Sequence, residues 1–169
     1  MTLSVRLEIA LGHFVSARNY TRQLLEELSE DDWFWTPQPA VTHIAWQIGH
    51  LAMAQYGLTL FRQRGRQEVD AELMTGGFRK LFMKGSEPSP NRADYPSSTE
   101  IVAVLDRVHQ QMLTEVPGFS DEQLDQSVDP PHVVFATRYG ALLFAGDHEM
   151  LHAGQIGLLR RLMDKTPIR

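Results

Sequence analysis

The sequence predicts an all-α protein, a four-helix bundle with a long crossover connection between its second and third helices. Four long stretches carry apolar residues at steps of three and four, which is the period of an amphipathic helix. No stretch shows the alternation of apolar and polar residues that is typical of a half-buried strand. Capping residues, glycines and prolines separate the four stretches and give each helix a predicted start and end.

The first two predicted helices lie in the first 65 residues. The first runs from about Ser4 to Leu28, and the acidic run Ser29–Asp32 ends it. The second runs from about His43 to Gln63, with Thr42 as the expected N-cap because a threonine hydroxyl can accept a hydrogen bond from the first turn. Gly65 marks the end of this second helix.

The third and fourth helices have equally clear boundaries. Ser97 and Glu100 form a capping-box pattern at the start of the third helix, in which each side chain satisfies a backbone donor near the other. Apolar positions continue to Val116, and Pro117–Gly118 stop the helix. The fourth helix is predicted from about Thr137 to Asp164, with basic residues near its end that suit the helix dipole.

A segment of roughly thirty residues, from Arg64 to Pro96, joins the second and third helices. Connections longer than about 12–15 residues are uncommon in compact domains unless they serve a function or are disordered. In a four-helix bundle such a segment can cross from one end to the other, which makes the two helices that it joins parallel.

Chain length, net charge and the lack of cysteine exclude several classes of protein and of site. A chain of 169 residues is expected to form one domain over residues 1–169. The net charge of −5 argues against nucleic acid as a partner, because nucleic-acid-binding domains are usually basic. The chain has no cysteine, which excludes disulfides, thiolate metal ligands and a cysteine nucleophile.

No membrane or targeting segment is expected. The most apolar stretch, Ile44–Phe61, is interrupted by Gln47, His50 and Gln55 and does not reach the 18 uninterrupted apolar residues of a span. Near the N-terminus, Arg6 breaks the apolar core that a signal peptide needs. We therefore expect a cytoplasmic protein without a membrane partner.

Two histidines in the fourth helix, His148 and His152, are candidates for metal ligands. Residues four apart project from the same face of a helix, so that two ring nitrogens can meet one divalent ion at about 2.0–2.1 Å. Two histidines do not complete a metal site, and a motif of this length also arises by chance. Glu149 lies between them, either as a catalytic or ligand-orienting group or as a solvated or salt-bridged glutamate.

Five further histidines are available as a third ligand: His13, His43, His50, His109 and His132. His50 lies at the midpoint of the second helix, in a stretch otherwise suited to burial. From the sequence alone it is either a ligand or, by the usual behaviour of a lone histidine on an apolar face, a hydrogen-bonded core residue. His43 is about 10 Å away along the helix, too far to share one ion with His50, although it could line the mouth of a pocket. His13 and His109 flank the apolar stripes of their helices and are expected at the surface or its boundary.

Two segments resemble the DinB/YfiT-like metalloprotein superfamily. The second helix, HIAWQIGHLAMAQ, resembles the histidine-bearing helix of that family, and HEMLHAGQIGLLRR resembles its histidine pair followed by Gly-Gln-Ile. The order of the remaining parts is similar too, with a glycine-rich connection at Gly76–Phe78, a YPSSTE start to the third helix and an EQLD turn. The resemblance covers nearly the whole chain.

The resemblance implies a fold and a site. The fold is a four-helix bundle of up-down-down-up connectivity, and the site holds one divalent metal, usually zinc or nickel, through His50, His148 and His152. Water or substrate takes the remaining positions, which is the arrangement expected of a catalytic rather than a structural zinc site.

The resemblance also implies a class of activity. Family members include transferases and isomerases that use small thiols such as bacillithiol, mycothiol or glutathione, so we expect a small-molecule substrate and a low-molecular-weight thiol as partners. A metal-bound thiol loses its proton and becomes a strong nucleophile without any protein cysteine. The alternative is a non-enzymatic metal- or ligand-binding module of the stress response.

A zinc-dependent hydrolase is a third interpretation, because His-Glu-x-x-His is also the zincin motif with Glu as general base. The extended motif needs Gly at position 155 and His at position 158, where this chain has Gln155 and Leu158. No glutamate follows His152 to serve as a third ligand, and no strand is predicted to hold a peptide.

A homodimer is the last expectation. It follows from the habit of the family and from an apolar excess at Leu58, Leu60 and Phe61 near the end of the second helix. The competing interpretation is that the long connection folds over these residues and buries them.

Overall fold

A computed structural model describes residues 3–38 and 41–168. The helices in chain order are α1 (Val5–Leu25), α2 (Glu30–Phe34), α3 (Ile44–Gln55), α4 (Arg62–Arg64), α5 (Asp70–Leu73), α6 (Gly76–Phe82), α7 (Ser98–Glu115), α8 (Asp121–Leu124) and α9 (Arg138–Leu162). A π-helical segment, Tyr56–Phe61, joins α3 to α4, and 3₁₀ turns form at Arg92–Asp94 and Val116–Gly118. The described residues contain no strand beyond one isolated bridge between Ser127 and Thr137, so the all-α prediction is confirmed.

The four predicted helices correspond to α1, α3 with its continuation to Arg64, α7 and α9. The capping box at the start of α7 is present, since the Ser97 hydroxyl accepts from the Glu100 amide and the Glu100 carboxylate accepts from the Ser97 amide. The prediction of Leu28 as the end of the first helix was wrong by three residues. The helix ends at Leu25 because Glu26 is extended and Glu27 adopts a positive φ of 61°.

The start of α3 differs from the prediction in its cap. The N-cap is His43, whose Nδ1 accepts from the Trp46 amide at 3.1 Å. Thr42 was wrongly assigned this role. Its hydroxyl instead accepts a hydrogen bond from the side-chain amide of Gln47 at 2.9 Å.

The long connection is folded and contributes to the core. α5 and α6 lie within it, and Leu73, Phe78 and Phe82 are buried with the core residues of the long helices. Arg64 fixes its beginning by binding Asp70 at 2.7 Å and Glu115 of α7 at 2.5 Å. The connection therefore supplies packing surface for α3 and α7.

The long helices pack α1 against α9, and α3 against both α7 and α9. Gln47 of α3 contacts Gln155 of α9 at 2.8 Å, and Gln63 of α4, in the continuation of α3, contacts the Arg138 carbonyl at the start of α9 at 3.0 Å. His50 therefore lies along α3 beside the stretch of α9 that carries the histidine pair.

The apolar excess at the end of the second predicted helix is mostly buried within the chain. Leu58 and Leu60 belong to the core, whereas Phe61 is 40% exposed. The segment Tyr56–Phe61 packs mainly against α7 and α9, so these long helices, rather than the long connection of the competing interpretation, cover Leu58 and Leu60. The homodimer stays a prediction, and a monomeric mass in sedimentation at micromolar concentration would reject it.

No helix in the described part of the chain is both long and apolar enough to cross a bilayer.

Candidate metal centre

Three histidines from two helices meet at one point. His148 and His152 lie one turn apart on α9, and α3 brings His50 against them. One ring nitrogen from each histidine lies within 4.8 Å of the other two. The ring centroids of His50 lie 5.3 Å from His148 and 4.9 Å from His152.

His50 is held by two neighbours. Its Nδ1 lies 2.8 Å from the carbonyl oxygen of Phe82, which can only accept, so Nδ1 carries the proton. The indole of Trp46 stacks on the imidazole with a centroid distance of 4.9 Å and an angle of 8°. These contacts leave Nε2 with its lone pair free to bind a metal ion.

His152 is held by a glutamine. Its Nδ1 hydrogen-bonds to Oε1 of Gln47, a buried side chain on α3. The Gln47 amide nitrogen donates to Thr42 Oγ1 at 2.9 Å and to Gln155 Oε1 at 2.8 Å. This arrangement again leaves Nε2 of the imidazole as the available ligand atom.

His148 differs from the other two. It is partly exposed, and within the described residues its ring makes no hydrogen bond. It packs instead beside Phe144, with ring centroids 5.7 Å apart. The cluster thus has two oriented rings and one ring held by packing.

All three imidazoles are neutral at neutral pH. Burial and the two neighbouring histidines lower the pKa of His152 to about 3. Burial, with His50 nearby, lowers the pKa of His148 to about 4, and burial also lowers the pKa of His50. Neutral imidazole is the form that binds metal, so the donor set fits a divalent ion such as zinc or nickel.

Glu149 makes its contacts with α1. It is almost fully buried, and its two carboxylate oxygens accept from Nε and Nη2 of Arg18 at 2.7 and 3.0 Å. Arg18 is itself fully buried and also donates to Gln55 at 2.9 Å. The salt-bridged alternative for Glu149 is therefore present as a buried ion pair, whereas its catalytic role stays a prediction.

The remaining histidines lie elsewhere. His43 is buried at the start of α3, edge-on to Tyr95 at 4.9 Å, so it does not line an open mouth, and burial lowers its pKa to about 4. His13 is a boundary residue paired with Asp147 at 2.9 Å. The expectation for His109 was wrong, because it is buried beside Phe14 in the core.

Sequence reasoning missed two residues that orient the cluster. From the sequence alone, Gln47 is only an interruption of an apolar stretch, and Phe82 has no predicted role. A signal for Gln47 exists, since it is a polar residue one turn before His50 in a helix otherwise suited to burial. Phe82 acts through its backbone carbonyl, which any residue type could supply.

Replacing Gly49 with alanine is expected to disturb the site. An added Cβ would lie 2.4 Å from the ring of Phe82, whose carbonyl holds His50, so the ring and its backbone must shift. We expect a loss of stability of about 1–3 kcal/mol and weaker metal binding, measured by denaturation and by competition with a chelator.

The matched control is Gly57→Ala, in the helical segment that continues α3. A Cβ there meets nothing within 4 Å. This variant should keep the stability and metal affinity of the wild type. Equal effects of the two substitutions would contradict the packing argument.

Removing metal with a chelator is expected to leave the helices intact. The core is a continuous cluster of buried apolar residues contributed by all the long helices, and it forms without any metal ligand. Metal binding adds stability to such a fold but does not create it, unlike the case of a small zinc finger. Loss of most of the helical circular dichroism on chelation would show this to be wrong.

Comparisons with known proteins agree with this picture. A sequence model of the DinB superfamily matches residues 13–156. The crystal structure of a conserved protein from Enterococcus faecalis has a similar fold, with a TM-score of 0.69, over 95% of this chain and 98% of that one, at 16% sequence identity. No curated protein matches the sequence. Because the matched segment spans most of the chain and includes all three clustered histidines, the chain belongs to the DinB superfamily.

Proposed function

We propose that the protein binds one divalent metal ion, zinc or nickel, through His50, His148 and His152. The observation that carries this proposal is the meeting of three neutral imidazoles, with one nitrogen of each within 4.8 Å of the others. The fixed Nδ1 partners of His50 and His152 support it further, because they leave the same nitrogen free in both rings.

The proposal includes the up-down-down-up arrangement of the four long helices. Contacts between α1 and α9 advance together along both helices, from His13 with Asp147 to Leu24 with Arg160, as expected of a parallel pair. Contacts of α3 and its continuation to α4 with α9 run in opposite senses, from Gln47 with Gln155 to Gln63 with Arg138, as expected of an antiparallel pair. These directions support the bundle that the sequence resemblance implies.

The activity that we propose is transfer of a small thiol to a small electrophile, or isomerisation of a thiol adduct. When bound, the metal would lower the pKa of a coordinated thiol and hold it as thiolate. The chain has no cysteine, so the thiol must come from a small molecule. The three histidines would serve as neutral ligands, which preserves the positive charge that stabilises a thiolate.

A cavity of about 390 Å³ is large enough for a small molecule, but none of the three histidines lines it. Its wall includes Trp46 and Gln47, the residues that contact His50 and His152. Leu158 and Leu162 make much of the remaining wall apolar. Because no histidine of the cluster lines it, this cavity does not define the second substrate.

The test of the activity is a panel of small thiols with a generic electrophile, using zinc- or nickel-loaded protein. Turnover should require both metal and thiol, and His148→Ala and His152→Ala should abolish it. Absence of turnover with every thiol, by protein that binds metal, would favour the alternative of a metal- or ligand-binding module.

A peptide hydrolysis assay run in parallel tests the hydrolase alternative. That mechanism requires Glu149 as a general base, yet both of its oxygens accept hydrogen bonds from Arg18. We therefore expect no metal-dependent cleavage of casein or peptides. Cleavage that Glu149→Gln abolishes would establish the hydrolase instead.

A further inference from the structure

We infer that Gln47 is a positioning residue that sets the tautomer of His152, and that Gln155 holds Gln47 in the orientation required. This inference rests on the proposed metal site and extends it to two residues that are not ligands. It assigns a role to the glutamine of the Gly-Gln-Ile segment that follows the histidine pair.

The side chain of Gln47 on α3 hydrogen-bonds to two residues of α9. His152 of α9 contacts Oε1 of Gln47 on α3, and the Nε2 of Gln47 returns to Oε1 of Gln155, one turn further along α9. The second hydrogen of the Gln47 amide goes to Thr42 Oγ1. Both N–H donors of Gln47 are therefore engaged away from the histidine, and its oxygen faces the imidazole.

This orientation has a chemical consequence. An amide oxygen can only accept, so Nδ1 of His152 must carry the proton and Nε2 must carry the lone pair. The opposite orientation of the amide would put the proton on Nε2, the nitrogen that faces the other two histidines. Only the first orientation leaves three lone pairs for one ion, and His50 reaches the same state through the Phe82 carbonyl.

The hydrogen-bond partner of His152, Gln47, is an uncharged amide with an exposed fraction of only 2%. A carboxylate in its place would also accept from Nδ1, but it would add a negative charge beside the metal. With glutamine at this position the ligands and their hydrogen-bond partners are all neutral. A metal ion bound by them would keep its full positive charge and attract an anionic ligand strongly.

The first test is the ring nitrogen spectrum of ¹⁵N-histidine-labelled protein without metal and with zinc. Long-range ¹H–¹⁵N correlations distinguish the two neutral tautomers. We expect His152 as the Nδ1–H tautomer in the metal-free protein, with only Nε2 shifted when zinc is added. An Nε2–H tautomer, or zinc on Nδ1, would overturn the inference.

The second test measures zinc affinity by competition with a chromophoric chelator. Gln47→Leu should weaken zinc binding about 10- to 100-fold, the usual effect of losing such a partner. Gln47→Glu keeps an acceptor and should stay within about 10-fold of the wild type. Equal losses in the two variants would contradict a role in orienting His152 and indicate general damage to the fold.

The matched control is Gln63→Leu. Gln63 is another buried glutamine of the same helical stretch, and its amide donates to the carbonyls of Leu58 and Arg138, away from the histidines. This variant should lower the melting temperature without changing zinc affinity. A loss of affinity as large as that of Gln47→Leu would overturn the inference.

The tests separate this inference from the proposed function. If the wild-type protein binds neither zinc nor nickel, the metal-site proposal is wrong, whereas the metal-free spectrum still decides the tautomer of His152. If zinc binds tightly but His152 is the Nε2–H tautomer, the metal-site proposal survives and the role of Gln47 does not.

Discussion

Replacing Glu149 with leucine is expected to lower the free energy of unfolding by about 3–5 kcal/mol. Arg18 of α1 is fully buried, and Glu149 of α9 is its only carboxylate partner among the described residues. Without that partner the guanidinium would keep its charge in a site closed to water. Urea denaturation of the metal-free protein measures the effect without interference from ligand binding.

The double variant Arg18→Met with Glu149→Leu is the control. Replacing a buried ion pair by apolar residues of similar volume is often neutral or stabilising, whereas removing one partner is not. The double variant should therefore be more stable than Glu149→Leu alone. If the single substitution leaves stability unchanged, the ion pair does not have the structural role assigned to it.

The same variants address the catalytic prediction for Glu149. A residue that acts only by joining α1 to α9 should affect turnover in proportion to the loss of folded protein. A residue that moves a proton should lower turnover of fully folded Glu149→Gln and change its pH profile. The contacts with Arg18 favour the first outcome.

Replacing His50 with alanine is expected to lower zinc affinity by more than 100-fold, which exceeds the usual cost of about 10- to 100-fold for losing an outer hydrogen-bond partner. The variant removes one of the three nitrogen ligands that we propose and leaves only the pair on α9. His148→Ala and His152→Ala should have effects of similar size. Competition with a chromophoric chelator, together with elemental analysis, measures both affinity and stoichiometry.

His43→Asn is the matched control. His43 lies seven residues before His50 on the same helical stretch, and asparagine can replace it as the N-cap of α3. Its metal content should equal that of the wild type. Unchanged affinity in His50→Ala would contradict the three-histidine assignment, and a loss in His43→Asn would point to a different ligand set.

The sequence predicted the long helices because their boundaries depend on local chemistry. The capping box of Ser97 and Glu100 lies where it was expected, since both halves of the motif are within four residues. His148 and His152 share a face for the same reason, because helical geometry alone determines their separation. The choice of His50 as third ligand came from family resemblance, because spacing cannot show which distant helix packs nearby.

The features that the sequence did not predict depend on contacts between residues that are far apart in the chain or on competition for one hydrogen-bond partner. Thr42 looked like an N-cap, but the Gln47 amide uses its hydroxyl and His43 caps the helix instead. Glu149 could not be assigned to Arg18 from sequence, since 131 positions separate them. His109 was expected near the surface, but the packing of α7 beside Phe14 of α1 buries it.

The site that we propose holds one divalent metal through three imidazoles. X-ray absorption at the zinc edge of the loaded protein tests it directly, because the spectrum reports the type, number and distance of the ligands. We expect one zinc per chain with three imidazole nitrogens at about 2.0–2.1 Å and a remaining position taken by a small ligand. A spectrum with fewer than three imidazoles, or one that is unchanged in His50→Ala, would contradict the account.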